Sequence, residues 1–123
     1  MKEKFKVIIA GSRDFNNYDL LVSKCDYFLS EKQKTHDIVI ISGTARGADK
    51  LGERYAKEYG YEIDAHPADW DKYGKSAGYK RNQEMAEVAD AVICFWDGNS
   101  KGTKHMVDIA KEKNLMCKVI RYK

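Results

Sequence analysis

Three short segments of this chain combine glycine with hydroxyl and charged side chains. They read GSRDF at residues 11–15, SGTARGAD at residues 42–49 and WDGNSKGT at residues 96–103. Glycine lets the backbone approach a ligand closely, and free backbone amides at the start of a helix attract anions. Each segment alone also fits an ordinary turn or helix cap. Together they predict a site for a phosphorylated, nucleotide-like small molecule.

A fourth segment, HPADWDKYGKSAGYKRNQEM at residues 66–85, carries larger side chains. Arg81 could hold a phosphate or carboxylate with its planar guanidinium group. Trp70 could stack on a base or cover the site as a lid. The alternatives are that Arg81 is a solvated helix residue and that Trp70 anchors a small satellite core. The residues themselves leave both interpretations open.

Two well-known phosphate-binding motifs are absent. AGSRDF has one glycine where the dinucleotide motif GxGxxG needs three, and GTARGAD lacks the GK[ST] ending of a Walker A loop. The three histidines and the three cysteines lack the spacing of metal ligands. We therefore predict no metal and no resident cofactor.

Asp49, Asp69 and Asp97 are the carboxylates nearest to the predicted site. A carboxylate could serve in catalysis there, but an acid near a helix start also stabilises the helix without any chemistry. No Ser/His/Asp or Cys/His arrangement accompanies them. The sequence leaves the catalytic role of these acids open.

Apolar runs and helical stripes alternate along the chain and must position these segments. Runs rich in β-branched residues, typical of strands covered on both faces, occupy residues 5–10, 37–42, 61–65, 91–96 and 117–122. Between them, apolar residues recur with helical spacing at residues 21–29, 48–59, 85–89 and 106–110. The predicted order is βαβαβαβαβ.

This alternation predicts an α/β fold, a Rossmann-like three-layer sandwich on a five-stranded parallel sheet. The expected strand order is 3-2-1-4-5, with the reversal between strands 1 and 4. Ligands of such sheets bind at the carboxyl ends of the strands beside that reversal. The glycine-rich segments follow strands 1, 2 and 4, so they should meet at that edge.

Length and net charge bear on the number of domains and on the kind of partner. A chain of 123 residues fits one domain, residues 1–123, and its net charge of +3 is a mild bias toward anionic partners. Basic and aromatic residues do not alternate along a groove, so nucleic acid is an unlikely partner. No apolar stretch could span a membrane, and we expect a cytoplasmic protein.

The series GSRDF, SGTARGAD, PADW, GKSAGYKRNQEM and DGNSKGT closely resembles the YspA/YpsA-related families of the SLOG superfamily. That superfamily also includes the lonely-guy phosphoribohydrolases and the Rossmann-like domain of DNA-processing protein A. The resemblance implies a pocket for a nucleotide or nucleotide-derived ligand such as an ADP-ribose-like compound, and relatives commonly form homo-oligomers. The residues it implies as ligand-binding are Gly11, Ser12, Arg13, Ser42, Gly43, Gly47, Ala48, Asp49, Arg81, Asn82, Asp97, Gly98, Ser100, Gly102 and Thr103.

The sequence supports the hydrolase activity of the lonely-guy enzymes less well than it supports ligand binding. Their PGGxGTxxE motif corresponds to DGNSKGTKHM, which keeps Gly102 and Thr103 but has Met106 in place of the glutamate. A thioether cannot activate water or stabilise an oxocarbenium ion as a carboxylate can. We therefore expect a ligand-binding sensor, with Met106 in the core. The alternatives are a nucleotide N-glycosidase, with Arg81, Asp49, Asp97 or Asp69 in catalysis, and the weaker one of single-stranded DNA binding.

Overall fold

The computed structural model describes residues 2–123 and contains one sheet of five parallel strands. The strand order is β3-β2-β1-β4-β5, as predicted. The central strand β1 pairs with β2 on one side and with β4 on the other. The strands are β1 (Glu3–Gly11), β2 (His36–Ser42), β3 (Glu62–Ala65), β4 (Ala91–Trp96) and β5 (Met116–Arg121).

Helices cover both faces of the sheet. Four of them have twelve residues each and match the predicted stripes, whereas α2 and α4 are single turns that the stripes do not predict. A short 3₁₀ turn at Gly74–Ser76 joins α4 to α5. The helices are α1 (Tyr18–Leu29), α2 (Lys32–Thr35), α3 (Ala48–Tyr59), α4 (Trp70–Tyr73), α5 (Ala77–Val88) and α6 (Lys101–Glu112).

Alternate side chains of β1 enter two separate cores. Val7 and Ile9 pack with α1 and α3, while Ile8 and Ala10 pack with α5 and α6. Burying an aliphatic side chain of this size contributes roughly 1.5–3 kcal/mol relative to leaving it exposed. Both faces of the central strand are therefore covered, which explains its continuous apolar run.

Cys25 and Cys94 are free thiols buried in these cores, and burial raises the pKa of each. Within residues 2–123, no group of three or more histidine, cysteine, aspartate or glutamate side chains is arranged to hold a metal ion. The same stretch contains no helix of the length and apolarity needed to cross a bilayer.

Candidate functional site

A cavity of about 500 Å³ opens at the carboxyl ends of β1 and β4. We call it the first cavity. Its walls come from the loops after β1, β2 and β4 and from helices α4, α5 and α6. Of the residues predicted from the sequence, those in its walls are Gly11, Ser12, Arg13, Asp49, Trp70, Arg81, Asn82, Asp97, Ser100, Gly102 and Thr103.

A second cavity of about 440 Å³ adjoins the first, and Gly43 lies in its wall. Four other predicted residues, Ser42, Gly47, Ala48 and Gly98, line neither cavity. Ser42 is fully buried, and its hydroxyl donates to Glu53 Oε2 at 2.7 Å. Gly47 has φ +85°, and a Cβ there would overlap the carbonyl groups of the loop after β1. These residues hold the loops in place instead of facing the cavities.

Ser12 joins three loops at the end of β1. Its backbone N–H donates to Phe95 O at 3.0 Å, and its hydroxyl accepts the Asp97 N–H at 3.1 Å. Its carbonyl accepts the Ala48 N–H at 3.4 Å, at the start of α3. The residue is only 2% exposed. Ser12 therefore fixes the position of the cavity walls relative to the sheet.

Arg81 is held in one orientation by two hydrogen bonds. Its Nη1 donates to the Gly43 carbonyl, and its Nε donates to Asn82 Oδ1 at 3.0 Å. Asn82 in turn donates from Nδ2 to the Gly102 carbonyl at 3.2 Å. Burial lowers the pKa of Arg81, and the nearby Asp49 carboxylate opposes that effect. Because a guanidinium has five N–H donors, three remain for a ligand.

Asp49 is a buried acid beside this arginine. It is 6% exposed, and its Oδ2 accepts the Ala45 N–H at 3.2 Å. Burial raises its pKa to about 6, and this effect outweighs the attraction of Arg81 and the hydrogen bond from Ala45. A Cβ on Gly43 would lie 2.8 Å from Asp49 Oδ2 and would also overlap the Arg81 guanidinium. Only glycine leaves room at this position.

The other two acids have structural partners. Asp97 Oδ1 accepts the N–H groups of Asn99 and Ser100, both at 2.8 Å, and these bonds lower its pKa. Asp69 is exposed, lines neither cavity, and caps α4 by accepting the Lys72 N–H at 3.1 Å. Asp49 is thus the candidate acid that combines burial, a raised pKa and a place in the cavity wall.

The first turn of α6 offers donors to the first cavity. Ser100 caps the helix, with its Oγ accepting the Thr103 N–H at 3.4 Å. The amides of Lys101 and Gly102 donate no hydrogen bond to any residue in the range 2–123. A Cβ on Gly102 would meet nothing within 4 Å, so this turn is open. Free amides at a helix start favour an anion.

Four cations around the first cavity form no direct ion pair, although the Asp49 carboxylate lies near Arg81. Arg13, Arg46, Lys75 and Arg81 line the first cavity, and none of them takes part in an ion pair formed among the described residues. In contrast, Asp14 in the same wall is paired with Lys123 at 2.7 Å. Arg46 belongs to the segment 42–49 and Lys75 to the segment 66–85, so the sequence marks the segments of both residues but not the residues themselves.

Comparison with known proteins identifies the family. Residues 5–73 match the model of the YspA, cpYpsA-related SLOG family. The chain is also 32% identical over 117 residues to the Gene 61 protein of Mycobacterium phage D29, covering 89% of this chain and 91% of that protein. The chain belongs to the YspA, cpYpsA-related SLOG family. The SLOG match includes the loops after β1 and β2, and it ends before Arg81 and the loop after β4.

A solved structure agrees with the fold of this SLOG chain. DNA processing protein A from Streptococcus pneumoniae superimposes with a TM-score of 0.72 at 17% identity, over 98% of this chain. The chain spans 51% of that protein. A predicted subunit of tRNA methyltransferase from Methanocaldococcus jannaschii gives a TM-score of 0.46 at 14% identity, covering 97% of this chain and 68% of the other. The first superposition supports the predicted Rossmann-like fold.

Two further predictions concern this SLOG site. Met106 is 1% exposed and belongs to the core beneath α6, as predicted, although its side chain also reaches the floor of the first cavity. Trp70 is 49% exposed and lines both cavities. This exposure fits a cavity wall and does not fit an anchor of a satellite core.

Proposed function

We propose that this protein binds a nucleotide or a nucleotide-derived small molecule in the first cavity, as a sensor or processing domain. The observation that carries the proposal is a set of four cations around that cavity that form no ion pair within residues 2–123: Arg13, Arg46, Lys75 and Arg81. Cations gathered around one cavity favour an anionic ligand, because attraction to the ligand offsets their mutual repulsion.

The shape and the donors of the site also support a phosphate. The guanidinium of Arg81 is oriented by Gly43 and Asn82, so little conformational entropy is lost when it binds a planar or tetrahedral anion. The free amides at the start of α6 add neutral donors. Trp70 offers an aromatic face, on which a base can stack.

Calorimetric titration with AMP, ADP, ATP and ADP-ribose tests the proposal. We expect at least one of them to bind, and Arg46→Gln to weaken that binding about tenfold to a hundredfold, because a hydrogen bond to a charged group contributes about 1.5–3 kcal/mol. Arg54→Gln removes the same charge from an exposed position on α3 outside both cavities, so it is the matched control. Well-folded protein that binds none of the four compounds would refute the proposal.

A second candidate, a nucleotide N-glycosidase, is favoured by Asp49. Its pKa of about 6 leaves most of the carboxyl ionised at pH 7.5, so it can take a proton from water. The water oxygen then bonds to C1′ of the ribose, the bond from C1′ to the base breaks, and the leaving base takes up the proton that Asp49 removed from the water, which restores the carboxylate. Arg81 would hold the phosphate during this step.

Chromatography of AMP incubated with the protein would detect free adenine and ribose 5-phosphate. We expect Asp49→Asn to abolish the reaction and the rate to rise with pH as Asp49 loses its proton. Asp69→Asn, which lies outside both cavities, is the control and keeps the rate. Release of adenine at an unchanged rate by Asp49→Asn would exclude the role of this acid, and no release would exclude the activity.

A further inference from the structure

The first and second cavities meet at a wall of arginines. Five residues line both of them: Arg13, Ala45, Arg46, Trp70 and Arg81. Three of these five are arginines without an ion-pair partner within residues 2–123. The cationic side chains are therefore concentrated at the junction of the two cavities and not at the end of either, and the nearby Asp49 carboxylate offsets part of their charge.

The walls beyond the junction carry little or no positive charge. In the second cavity the unshared walls are Gly43, Thr44, Pro67 and Ala68, none of which is charged. In the first cavity the unshared charged residues are Lys75 and three acids, Asp14, Asp49 and Asp97. Carboxylates repel a phosphate but accept hydrogen bonds from sugar hydroxyls and from amino groups.

Each cavity is large enough to hold an organic group of its own. Volumes of about 500 Å³ and about 440 Å³ both lie within the usual range of small-molecule sites, about 300–1,000 Å³. The first cavity has a partly apolar floor that includes Met85, Met106 and Tyr79. A mononucleotide with a terminal phosphate at the arginines would fill the first cavity and leave the second one to water.

We propose that the ligand has a pyrophosphate between two bulky organic ends, with the pyrophosphate at the shared arginines and the second end in the cavity bounded by Gly43, Thr44, Pro67 and Ala68. This inference rests on the proposed binding function and deepens it, because it assigns a second subsite and selects one class of nucleotide. The nucleoside end occupies the first cavity, where acids accept its hydroxyl groups. The second end lies against Trp70 and Ala68.

Titration of ADP against ADP-ribose and diadenosine diphosphate tests this assignment. The three share an adenosine diphosphate group, and ADP carries more negative charge, so charge alone favours ADP. We expect the two-ended compounds to bind at least tenfold more tightly. Ala68→Phe fills the second cavity and should reduce the ratio of the affinities to about one. Ala65→Phe, an exposed alanine at the end of β3 that lines neither cavity, is the matched control and should keep the ratio.

The outcomes separate the two proposals. If ADP and the two-ended compounds bind equally well, the second subsite is excluded and the nucleotide site stands. An affinity ratio that Ala68→Phe leaves unchanged also excludes the second subsite, since the extra end must then lie elsewhere. If none of the three compounds binds to folded protein, the proposed function itself fails.

Discussion

Asp49→Asn should stabilise the protein at neutral pH, and this advantage should shrink as the pH falls from about 6 toward 3.8. Burial raises the pKa of this carboxyl from its ordinary value of 3.8 to about 6. Each pKa unit corresponds to about 1.4 kcal/mol, so the ionised group lowers the free energy of unfolding by about 3 kcal/mol. Asparagine resembles the protonated acid, and its side-chain oxygen can still accept the Ala45 N–H. We expect the variant to be about 3 kcal/mol more stable at pH 7.5.

The sign of the pH dependence follows from proton linkage. Between pH 3.8 and about 6 the folded protein holds the Asp49 proton more tightly than the unfolded chain does, so raising the pH through this range costs stability. Below pH 3.8 both states are protonated, and this contribution vanishes. Other acids, such as Asp97, have lowered pKa values and act in the opposite direction. Only the difference between variant and wild type therefore isolates Asp49.

Urea unfolding followed by circular dichroism at pH 4, 5, 6, 7 and 8 measures this difference. The expected advantage of Asp49→Asn grows from about 0.6 kcal/mol at pH 4 to about 3 kcal/mol at pH 8. Asp69→Asn is the control, because asparagine caps a helix as well as aspartate does and should change stability little. A difference that stays constant with pH, or a variant less stable than wild type at pH 8, would refute the burial argument.

Four other substitutions test the walls of the site by thermal and urea unfolding. Gly43→Ala places a methyl group against the Arg81 guanidinium and should cost about 1–3 kcal/mol, whereas Gly102→Ala enters open space and should cost nothing. Met106→Glu buries a carboxylate in the core below α6 and should cost more than about 3 kcal/mol without creating a hydrolase. Asp97→Ala frees two backbone amides and should lower the free energy of unfolding. A smaller loss for Gly43→Ala than for Gly102→Ala would contradict the packing described here.

The strands and their order could be predicted because the apolar runs are continuous. A strand such as β1 must be covered on both faces, and strict alternation with helices leaves few possible topologies. The short helix α4 could not be predicted in this way, since four residues are too few for a helical period. It depends instead on a local cap, in which Asp69 accepts the Lys72 N–H.

The site was predicted in position but less well in its detailed chemistry. The three glycine-rich segments do meet at the carboxyl edge of the sheet, because parallel strands all end there. The different environments of the acids depend on tertiary contacts. Asp49 is buried, while Asp97 accepts hydrogen bonds from the amides of Asn99 and Ser100. The place of Lys75 in the wall depends on the path of the chain after α4, which no local pattern reveals.

The two tryptophans of the chain report on different places. Trp96 lies at the end of β4, where its indole N–H donates to the Ser100 carbonyl at 3.0 Å and Arg121 lies over its ring. Trp70 stands half-exposed in the wall shared by both cavities. In a Trp96→Phe variant, Trp70 is therefore the remaining tryptophan, and its fluorescence emission reports how much water surrounds the junction of the two cavities.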